Sequence, residues 1–475
     1  MRRFRRTTLI IVGCFSVLAG LGLSRIIYLE AVWWMIVFLP ALFLLRRKNL
    51  ASLMLVIIVG LGLGLWRGGI YMGKLAENKH LSGQKVTIQA TSTSDAVYAA
   101  RSQLEFTATD VKLVEPSEQK LAGSFKISGF GVPMVYRGDQ VQVTGKVFPM
   151  RGSNQARMAY TQISVVGIGD QWFNKLNRNF STGMENALPE PQASFALGLL
   201  IGQRTNLPQS IITQLTMVSL VHIVAVSGYN LTILVRGVQR LKLNSKYQKT
   251  LLSLVLICSF VLVTGFSASI VRAAIVSILS LWAWYYGRDL RPLLLIAFAA
   301  ATTGLFNPFY VWSDIGWYLS FLAFFGVLII APLIVSRLFS RPPKLLTMVL
   351  IETLCAEIMT LPLIMMVFGQ MSLIGLLANL LVVPLIPWAM LLSAVTAIAG
   401  AAVPELAGWV AWPAHLLLTY MLDVVHILAS IPSIFLHVSI NPTLMISSYA
   451  LIVVLVLIGH KRLKNKGLIL KKSFK

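Results

Sequence analysis

The chain has 475 residues, of which 56% are hydrophobic and only 12% are charged, with a formal net charge of +24. Such a composition excludes a soluble enzyme and predicts a protein that crosses the membrane many times. The excess of Lys and Arg favours basic cytoplasmic loops first and a nucleic-acid ligand second. The three cysteines lie far apart and no Cys/His cluster occurs, so we expect neither a metal site nor another cofactor.

Residues 1–73 contain three apolar segments, near 7–23, 30–45 and 50–70. The basic run Arg2–Arg6 before the first segment indicates a retained signal anchor. A second basic run, Arg46–Lys48, follows two spans later. Because Lys and Arg near helix ends stay in the cytoplasm, this pattern predicts a cytoplasmic N-terminus and places residue 74 on the outer side.

Residues 74–170 change to alternating apolar and polar side chains, which is the signal of β-strands. The clearest runs are 86–91, 104–109, 125–128 and 141–147. Several short strands in one small region predict an extracytoplasmic β-barrel of the OB type. Such barrels bind single strands through stacking aromatics, but a purely structural barrel fits the sequence equally well. The candidates for stacking are Phe106, Phe125, Phe130 and Tyr136.

Residues 171–192 form an amphipathic linker with basic side chains on one face. The pattern is compatible with a helix on the membrane surface. It is equally compatible with a helix packed on the barrel.

Residues 193–460 are again strongly apolar. A short run, 196–202, ends in a polar loop and predicts a half-helix. Longer segments follow near 210–235, 248–266, 268–286, 291–305, 313–335, 345–368, 372–401, 405–431 and 443–460. Together with the first three segments they predict about twelve spans, some of them broken or re-entrant. This arrangement keeps the basic loops and the basic tail, 461–475, on the cytoplasmic side.

The apolar stretch 219–234 contains His222, Ser227, Gly228 and Asn230. Polar groups at membrane depth are costly and usually face a bundle interior or a wet path. Gly228 is a natural position for a helix to break, and broken backbone survives there only when protein or a cavity covers it. We interpret this stretch as the centre of a transport path. The alternative is a kinked, fully packed helix.

Other polar side chains interrupt the later segments. Arg272 lies within a long apolar run, and a buried arginine needs a partner, for which Asp314, Glu352 or Glu357 is available. Gly369 and Gln370 break a further run, and Asn379 follows in a helix that two prolines interrupt. A second interrupted element is what a path built from discontinuous helices requires. For Asp314, an interfacial charge that reaches water is the alternative.

Catalytic chemistry finds little support in the sequence. His222 and Ser227 could approach each other as base and nucleophile, but a triad needs a third orienting group and an oxyanion site. No Gly-x-x-x-x-Gly-Lys-Ser/Thr motif occurs, so no ATP site is indicated. We therefore assign no catalytic residue.

Three blocks of sequence resemble the ComEC family of bacterial competence proteins. The first runs from Ala196 to Gly228, including His222-Ile-Val-Ala-Val-Ser-Gly228. The second runs from Val271-Arg-Ala-Ala274 to Phe321, and the third from Thr360-Leu-Pro362 to Pro384. The region 74–170 resembles the OB-like domain of that family. Many members have Leu-His where this chain has Tyr229 and Asn230.

The resemblance implies an inner-membrane channel that carries single-stranded DNA into the cytoplasm during natural transformation. It implies contact with membrane lipid and three separate partners: a DNA-pulling ATPase, a DNA receptor and a nuclease. The metallo-β-lactamase-like domain of many members, with its His-x-His-x-Asp-His motif, is not found, so we expect transport without cleavage. The candidates for lining the channel are Arg204, His222, Ser227, Gly228, Tyr229, Asn230, Arg272, Asp314, Glu357, Gln370 and Asn379.

Two other functions remain open at this stage. One is a multi-pass transporter of a smaller anionic polymer or solute that uses the same broken helices. The other is a membrane-embedded hydrolase that uses His222 and Ser227.

Overall fold

The computed structural model describes residues 4–27, 49–98, 103–116, 118–121, 123–130, 134–149, 154–169, 172–203, 207–224, 228–242, 245–264, 268–288, 290–339, 341, 343–431 and 435–465. The chain divides into two compact units. The first comprises Met1–Glu185, Ile201–Asn206 and Val226–Trp317, and the second comprises Asn186–Leu200, Leu207–Ala225 and Tyr318–Lys475. The apolar segment predicted near 30–45 lies outside the described residues.

The helices of the first half are α1 (Arg6–Leu23), α2 (Leu50–His80), α3 (Trp172–Ala187), α4 (Gln192–Ile201), α5 (Gln209–Met217), α6 (Val221–Val224), α7 (Gly228–Arg240) and α8 (Lys246–Thr264). Those of the second half are α9 (Ala268–Tyr285), α10 (Pro292–Phe306), α11 (Phe309–Ser313), α12 (Ile315–Phe325), α13 (Ala331–Leu338), α14 (Leu345–Phe368), α15 (Gly375–Val382), α16 (Ile386–Ala402), α17 (Pro404–Ala429) and α18 (Pro442–Asn465).

Among the described residues, eight helical segments are long and apolar enough to cross a membrane: Arg6–Leu23, Leu50–Leu75, Lys246–Thr264, Ile315–Leu338, Thr347–Phe368, Gly375–Ala402, Pro404–Ala429 and Pro442–Gly459. Three shorter apolar helices are Gln192–Ile201, Ser269–Tyr285 and Pro292–Phe306. The protein is therefore a polytopic helical membrane protein. Among its described residues, the segment predicted near 210–235 contains the short helices α5, α6 and α7, and residues 225–227 between the last two lie outside the described residues.

Helices α1 and α2 pack with their backbones in contact. A Cβ atom on Gly64 would stand 2.3 Å from the carbonyl oxygen of Val17, and one on Gly20 would stand 2.2 Å from that of Leu61. Small residues allow this approach, which supplies dispersion contacts where lipid removes the hydrophobic driving force between helices.

The β domain follows α2, which continues to His80, beyond the predicted boundary at residue 73. Its strands are β1 (Lys85–Ser92), β2 (Val97–Tyr98), β3 (Leu104–Glu115), β4 (Gln119–Lys120), β5 (Phe125–Phe130), β6 (Gln140–Pro149) and β7 (Ala156–Gly167). Strand β1 pairs with both β3 and β6, β6 pairs with β7, and β5 pairs with β3. The β5–β7 pair is parallel.

Two of the four aromatic residues proposed for stacking are core residues. Phe106 is 3% exposed and Phe125 is fully buried, so neither ring can reach a ligand and that part of the prediction was wrong. They lie on the apolar face of their strands, where alternation places side chains in the core. Phe130 and Tyr136 are exposed. Tyr160, which the sequence did not single out, is 81% exposed and has a left-handed φ of 55°.

Helix α3 packs against the β domain. Asn174 lies beside Gly138, and the guanidinium of Arg178 forms a 2.7 Å ion pair with Asp139. The structure thus favours the packed linker over the surface helix.

The second unit contains the interrupted element predicted around Gly369. This glycine, with φ of 64°, ends α14 in a left-handed C-cap whose N–H donates to the carbonyl of Met365. Such a cap is easiest for glycine because it has no Cβ. A two-residue strand β8 (Met371–Ser372) then pairs with β9 (Phe435–Leu436). A 3₁₀ turn over Val383–Leu385 separates α15 from α16, as the prolines predict.

Candidate functional site

The described candidate residues fall into both units of the chain. Asn230, Arg272 and Asp314 lie in the first unit, and His222, Glu357, Gln370 and Asn379 lie in the second. Arg204 and Ser227 lie outside the described residues, and of Tyr229 only the backbone, in α7, is described.

The first centre is built around Arg272 on α9. This side chain is only 3% exposed, and its Nη2 donates to the carbonyl of Gly316 at 3.3 Å. It interacts electrostatically with Asp314 and with the hydroxyl of Tyr310. Of the three carboxylates considered from the sequence, Asp314 therefore supplies a counter-charge to the guanidinium. A buried guanidinium placed this way can attract a passing anion or hold two helices in register.

Asp314 itself is held in place by the start of α12. Its Oδ1 accepts the backbone N–H of Trp317 at 3.2 Å, as an N-cap does. The indole of Trp317 donates to Thr303 at 3.0 Å, which ties α12 to α10. Asp314 is 8% exposed, so it is a buried group and not one that reaches water at a helix end.

Asn230 is the other buried candidate in this unit. It is 1% exposed, and it lies in α7, the helix that begins at Gly228. The hydroxyl of Thr232 donates to the carbonyl of Gly228 at 3.0 Å. Residues 225–227, between α6 and α7, lie outside the described residues, so the interruption at Gly228 stays a prediction.

The second centre joins Glu357 on α14 to Asn379 on α15. The Asn379 amide Nδ2 donates to Glu357 Oε1 at 2.9 Å, and Asn379 is 3% exposed. Gly375 allows Ser219 to lie close to α15, because a Cβ at this position would stand 2.9 Å from Ser219 Cβ. Glu357 itself is half-buried, and a carboxylate that keeps one amide partner there is stabilised locally and stays available to a further donor.

Ser219, in the segment before α6, approaches the same centre next to Gly375, and His222 follows in α6. Ser219 has a left-handed φ of 57°, a conformation that costs a non-glycine residue on the order of 1–3 kcal/mol and often occurs at functional sites. Its carbonyl accepts a hydrogen bond from His222 Nδ1 at 2.9 Å. The sequence missed Ser219, because backbone strain leaves no mark on residue type. In a catalytic triad, Nδ1 of the histidine donates to a carboxylate. In this protein Nδ1 of His222 donates to a backbone carbonyl instead.

Gln370 joins neither centre. It lies directly after Gly369, and its side chain forms no hydrogen bond with any residue that the structure describes. Its place at a helix break agrees with the prediction, but no contact assigns it a role. Across the described ranges, no group of three or more His, Cys, Asp or Glu side chains is positioned to hold a metal ion.

A testable consequence concerns the Glu357–Asn379 pair. Replacing Asn379 with leucine should destabilise the protein by about 1–3 kcal/mol, since the half-buried Glu357 carboxylate loses its amide donor. Glu357→Gln keeps an acceptor oxygen and should cost less, and Glu357→Leu combined with Asn379→Leu should cost less than the two single changes together. Thermal unfolding of the detergent-solubilised protein measures all four variants. Additive losses would show that the two side chains are not coupled.

A third polar cluster, missed by the sequence reading, attaches the β domain to α8. The guanidinium of Arg137 donates to the carbonyls of Leu262 and Val263 at 3.2 and 3.1 Å, and Asn177 donates to Val263 at 3.2 Å. Cationic and amide donors at a helix C-terminus satisfy its free carbonyls and complement its dipole. Burial lowers the pKa of Arg137, and the nearby Asp95 carboxylate opposes that shift. Burial likewise raises the pKa of Asp95.

Comparison with known proteins identifies the class to which this membrane fold belongs. Residues 199–462, which include every candidate residue, match the family described as "Competence protein". This match covers more than half of the chain, so the chain belongs to the competence protein family. Over 226 residues it is 25% identical to ComE operon protein 3 of Bacillus subtilis (strain 168). The alignment covers 47% of this chain and 28% of that protein, so the chain matches less than a third of its relative. No solved structure matches the chain.

Proposed function

We propose that this protein is a channel in the cytoplasmic (inner) membrane that passes single-stranded DNA into the cell during natural transformation. The observation that carries the proposal is the competence-family match over residues 199–462. That region contains both segments that the sequence predicts to be interrupted and both polar centres. Polar groups at membrane depth mark substrate paths, and half-helices that end in a membrane favour anionic substrates at their N-termini.

We also propose that the β domain is a closed barrel of the OB type. The pairings run from β1 through β6, β7, β5 and β3 back to β1, with β5 and β7 parallel. This cycle supports closure, which removes exposed sheet edges. Exposed Phe130, Tyr136 and Tyr160 are then the aromatic side chains available to a single strand.

The energy for transport must come from outside the chain, since the sequence has no ATP-binding motif. We therefore include a separate DNA-pulling ATPase, a DNA receptor on the outer side and a separate nuclease as partners. The proposal also keeps about twelve spans, cytoplasmic termini and an extracytoplasmic β domain, on the basis of the basic loops.

The test of the function is deletion of the gene in its own host. Transformation by added linear DNA should fall by orders of magnitude and return when the gene is supplied on a plasmid. The same DNA introduced by electroporation should transform the deletion strain at the wild-type frequency, because that route bypasses a membrane channel. Unchanged transformation of the deletion strain by added DNA would reject the proposal.

A labelling experiment tests the orientation. Tyr160→Cys places a thiol at an 81% exposed position of the β domain, and Tyr247→Cys places one at a 61% exposed position near the start of α8. With the native cysteines replaced, a membrane-impermeant thiol reagent should label the first variant in intact cells and the second only after lysis. Labelling of Tyr247→Cys in intact cells and of Tyr160→Cys only after lysis would show that the protein has the opposite orientation.

A further inference from the structure

An apolar groove of about 570 Å³ runs along α1, with further walls from α2 and α10. All three helices belong to the first unit, and the groove is separate from the polar centres described above. The buried side chains of Val17 and Ala301 form part of its inner wall. Its other walls include Ile10, Phe298 and Thr302, which are exposed. The groove therefore has an inner wall of packed side chains and an open outer side.

Helices α1 and α10 run in the same direction along this groove. Their C-terminal ends meet, because the indole of Trp312, just after α10, donates to the carbonyl of Leu21 at 2.7 Å. A Cβ on Gly304 would also stand 3.1 Å from a side-chain carbon of Leu21. The N-terminal ends of the two helices therefore point to the same side of the membrane. Arg6 begins α1 and Arg291 precedes α10, so that side is basic.

The apolar walls of the groove face lipid. Helix α1 and the part of α2 over Leu50–Leu75 are long and apolar enough to cross a membrane. An empty groove would lose dispersion contacts along its whole wall. In a bilayer, the molecule that can restore those contacts is the hydrocarbon chain of a phospholipid. The groove should therefore hold an acyl chain.

A basic side chain in the wall of the groove selects among phospholipids. Arg6 lines the groove and is exposed, and within the described part of the chain its side chain forms neither an ion pair nor a hydrogen bond. Arg2, Arg3 and Arg5 precede it in the sequence. Clusters of basic residues next to a membrane span, and basic pockets between spans, bind anionic headgroups. The phosphate of an anionic lipid would give the Arg6 guanidinium a partner.

The apolar segment predicted near 30–45 is the other possible occupant of the groove. It is followed by Arg46-Arg47-Lys48, which the charge pattern assigns to the same side of the membrane as Arg6. Placing this segment in the groove would bring three more positive charges towards Arg6, where they repel it. An anionic headgroup supplies the opposite charge, so the charges favour a lipid.

We propose that this groove binds one acyl chain of an anionic phospholipid, with the Arg6 guanidinium on the lipid phosphate. Helix α10 belongs to the region that matches the competence family, whereas α1 and α2 precede that region. The bound lipid therefore contacts both parts of the chain and stabilises the packing of the N-terminal helices on α10.

The test measures the thermal midpoint of the delipidated full-length protein in a neutral detergent as lipid is added. A ligand that binds the folded state raises this midpoint. The probes are phosphatidylglycerol and phosphatidylethanolamine with identical palmitoyl and oleoyl chains. Phosphatidylglycerol should bind at least about fivefold more tightly, which is the contribution of one basic residue near an anionic headgroup. Inorganic phosphate and glycerol phosphate should give no shift, because neither has a hydrocarbon chain.

Two variants separate the contribution of the headgroup from that of the chain. Arg6→Gln should weaken phosphatidylglycerol binding about fivefold and leave phosphatidylethanolamine binding unchanged. Thr302→Trp fills the groove and should weaken both lipids at least about tenfold, because several CH₂ groups lose their place. The matched controls are Arg341→Gln, at an exposed position of the second unit, and Val255→Trp, at an exposed position of α8. Both controls should bind the two lipids as the wild type does.

Equal affinity for the two lipids, or wild-type lipid binding by Thr302→Trp, would overturn the lipid site. So would a midpoint of Thr302→Trp that lies well below that of Val255→Trp before lipid is added. Such a loss would show that protein, for example the segment near 30–45, already fills the groove. None of these measurements scores DNA uptake, so the proposed function is decided separately by the gene deletion.

Discussion

Gly64→Leu is expected to prevent α1 and α2 from packing and to remove most of the folded protein from the membrane. A Cβ at this position would meet the Val17 carbonyl oxygen at 2.3 Å and the Leu21 nitrogen at 2.7 Å. These are backbone atoms, so no rotation of a side chain relieves the overlap and the helices must separate. Overpacking typically destabilises a protein by about 1–3 kcal/mol. We expect a loss of stability near the top of this range, which lowers the folded-to-unfolded ratio by about a hundredfold.

The matched control for Gly64→Leu is Gly22→Leu on α1. Nothing lies within 4 Å of the position that a Cβ on Gly22 would occupy, and the residue is exposed. This variant should therefore accumulate at the wild-type level. The amount of membrane-inserted protein and its thermal midpoint in detergent report the difference. Equal amounts of the two variants would mean that α1 and α2 do not form this close contact in the membrane.

The positions of most long helices followed from the sequence because lipid imposes a simple requirement. A spanning helix must be apolar for about twenty residues, and the predicted segments near 345–368 and 405–431 agree with α14 and α17. The helix breaks at Gly369 and before Ile386 were also predictable, because glycine and proline fix the backbone locally. The count of about twelve spans remains a prediction.

The polar centres could be predicted only as a set of candidates. Arg272 had three possible carboxylate partners in the sequence, and the structure places Asp314 near it and Glu357 with Asn379. These contacts depend on how helices rotate against each other, which residue spacing along the chain does not specify. The left-handed conformation of Ser219 was missed for the same reason, since it is a consequence of tertiary packing.

The strands of the β domain could be predicted only in part, for a different reason. Alternation of apolar and polar residues identified four strands, and β7 was not singled out. Strand β7 contains a bulge opposite Gly145, where Tyr160 turns outward in a left-handed conformation. A bulge shifts the alternation by one residue, so a period-two pattern does not describe the whole strand.

Arg272→Ala is the second change with a large expected effect. It removes the guanidinium that interacts with Asp314 and bonds Gly316, and it leaves a carboxylate uncompensated in a low-dielectric interior. Removing one partner of a buried pair costs about 3–5 kcal/mol, so both the protein level and transformation should fall. Arg291→Ala, at an exposed position before α10, is the matched control and should be tolerated.

Combining Arg272→Ala with Asp314→Asn separates a structural from a transport role for this arginine. The double variant no longer has an unpaired buried charge, so most of the lost stability should return. If Arg272 also meets DNA phosphates, transformation stays low at a restored protein level, because no neutral side chain supplies a fork of charged donors. Arg272→Lys keeps the charge without the fork and should give intermediate transformation. If the double variant transforms at the wild-type frequency, the role of Arg272 is only to hold α9 against the start of α12.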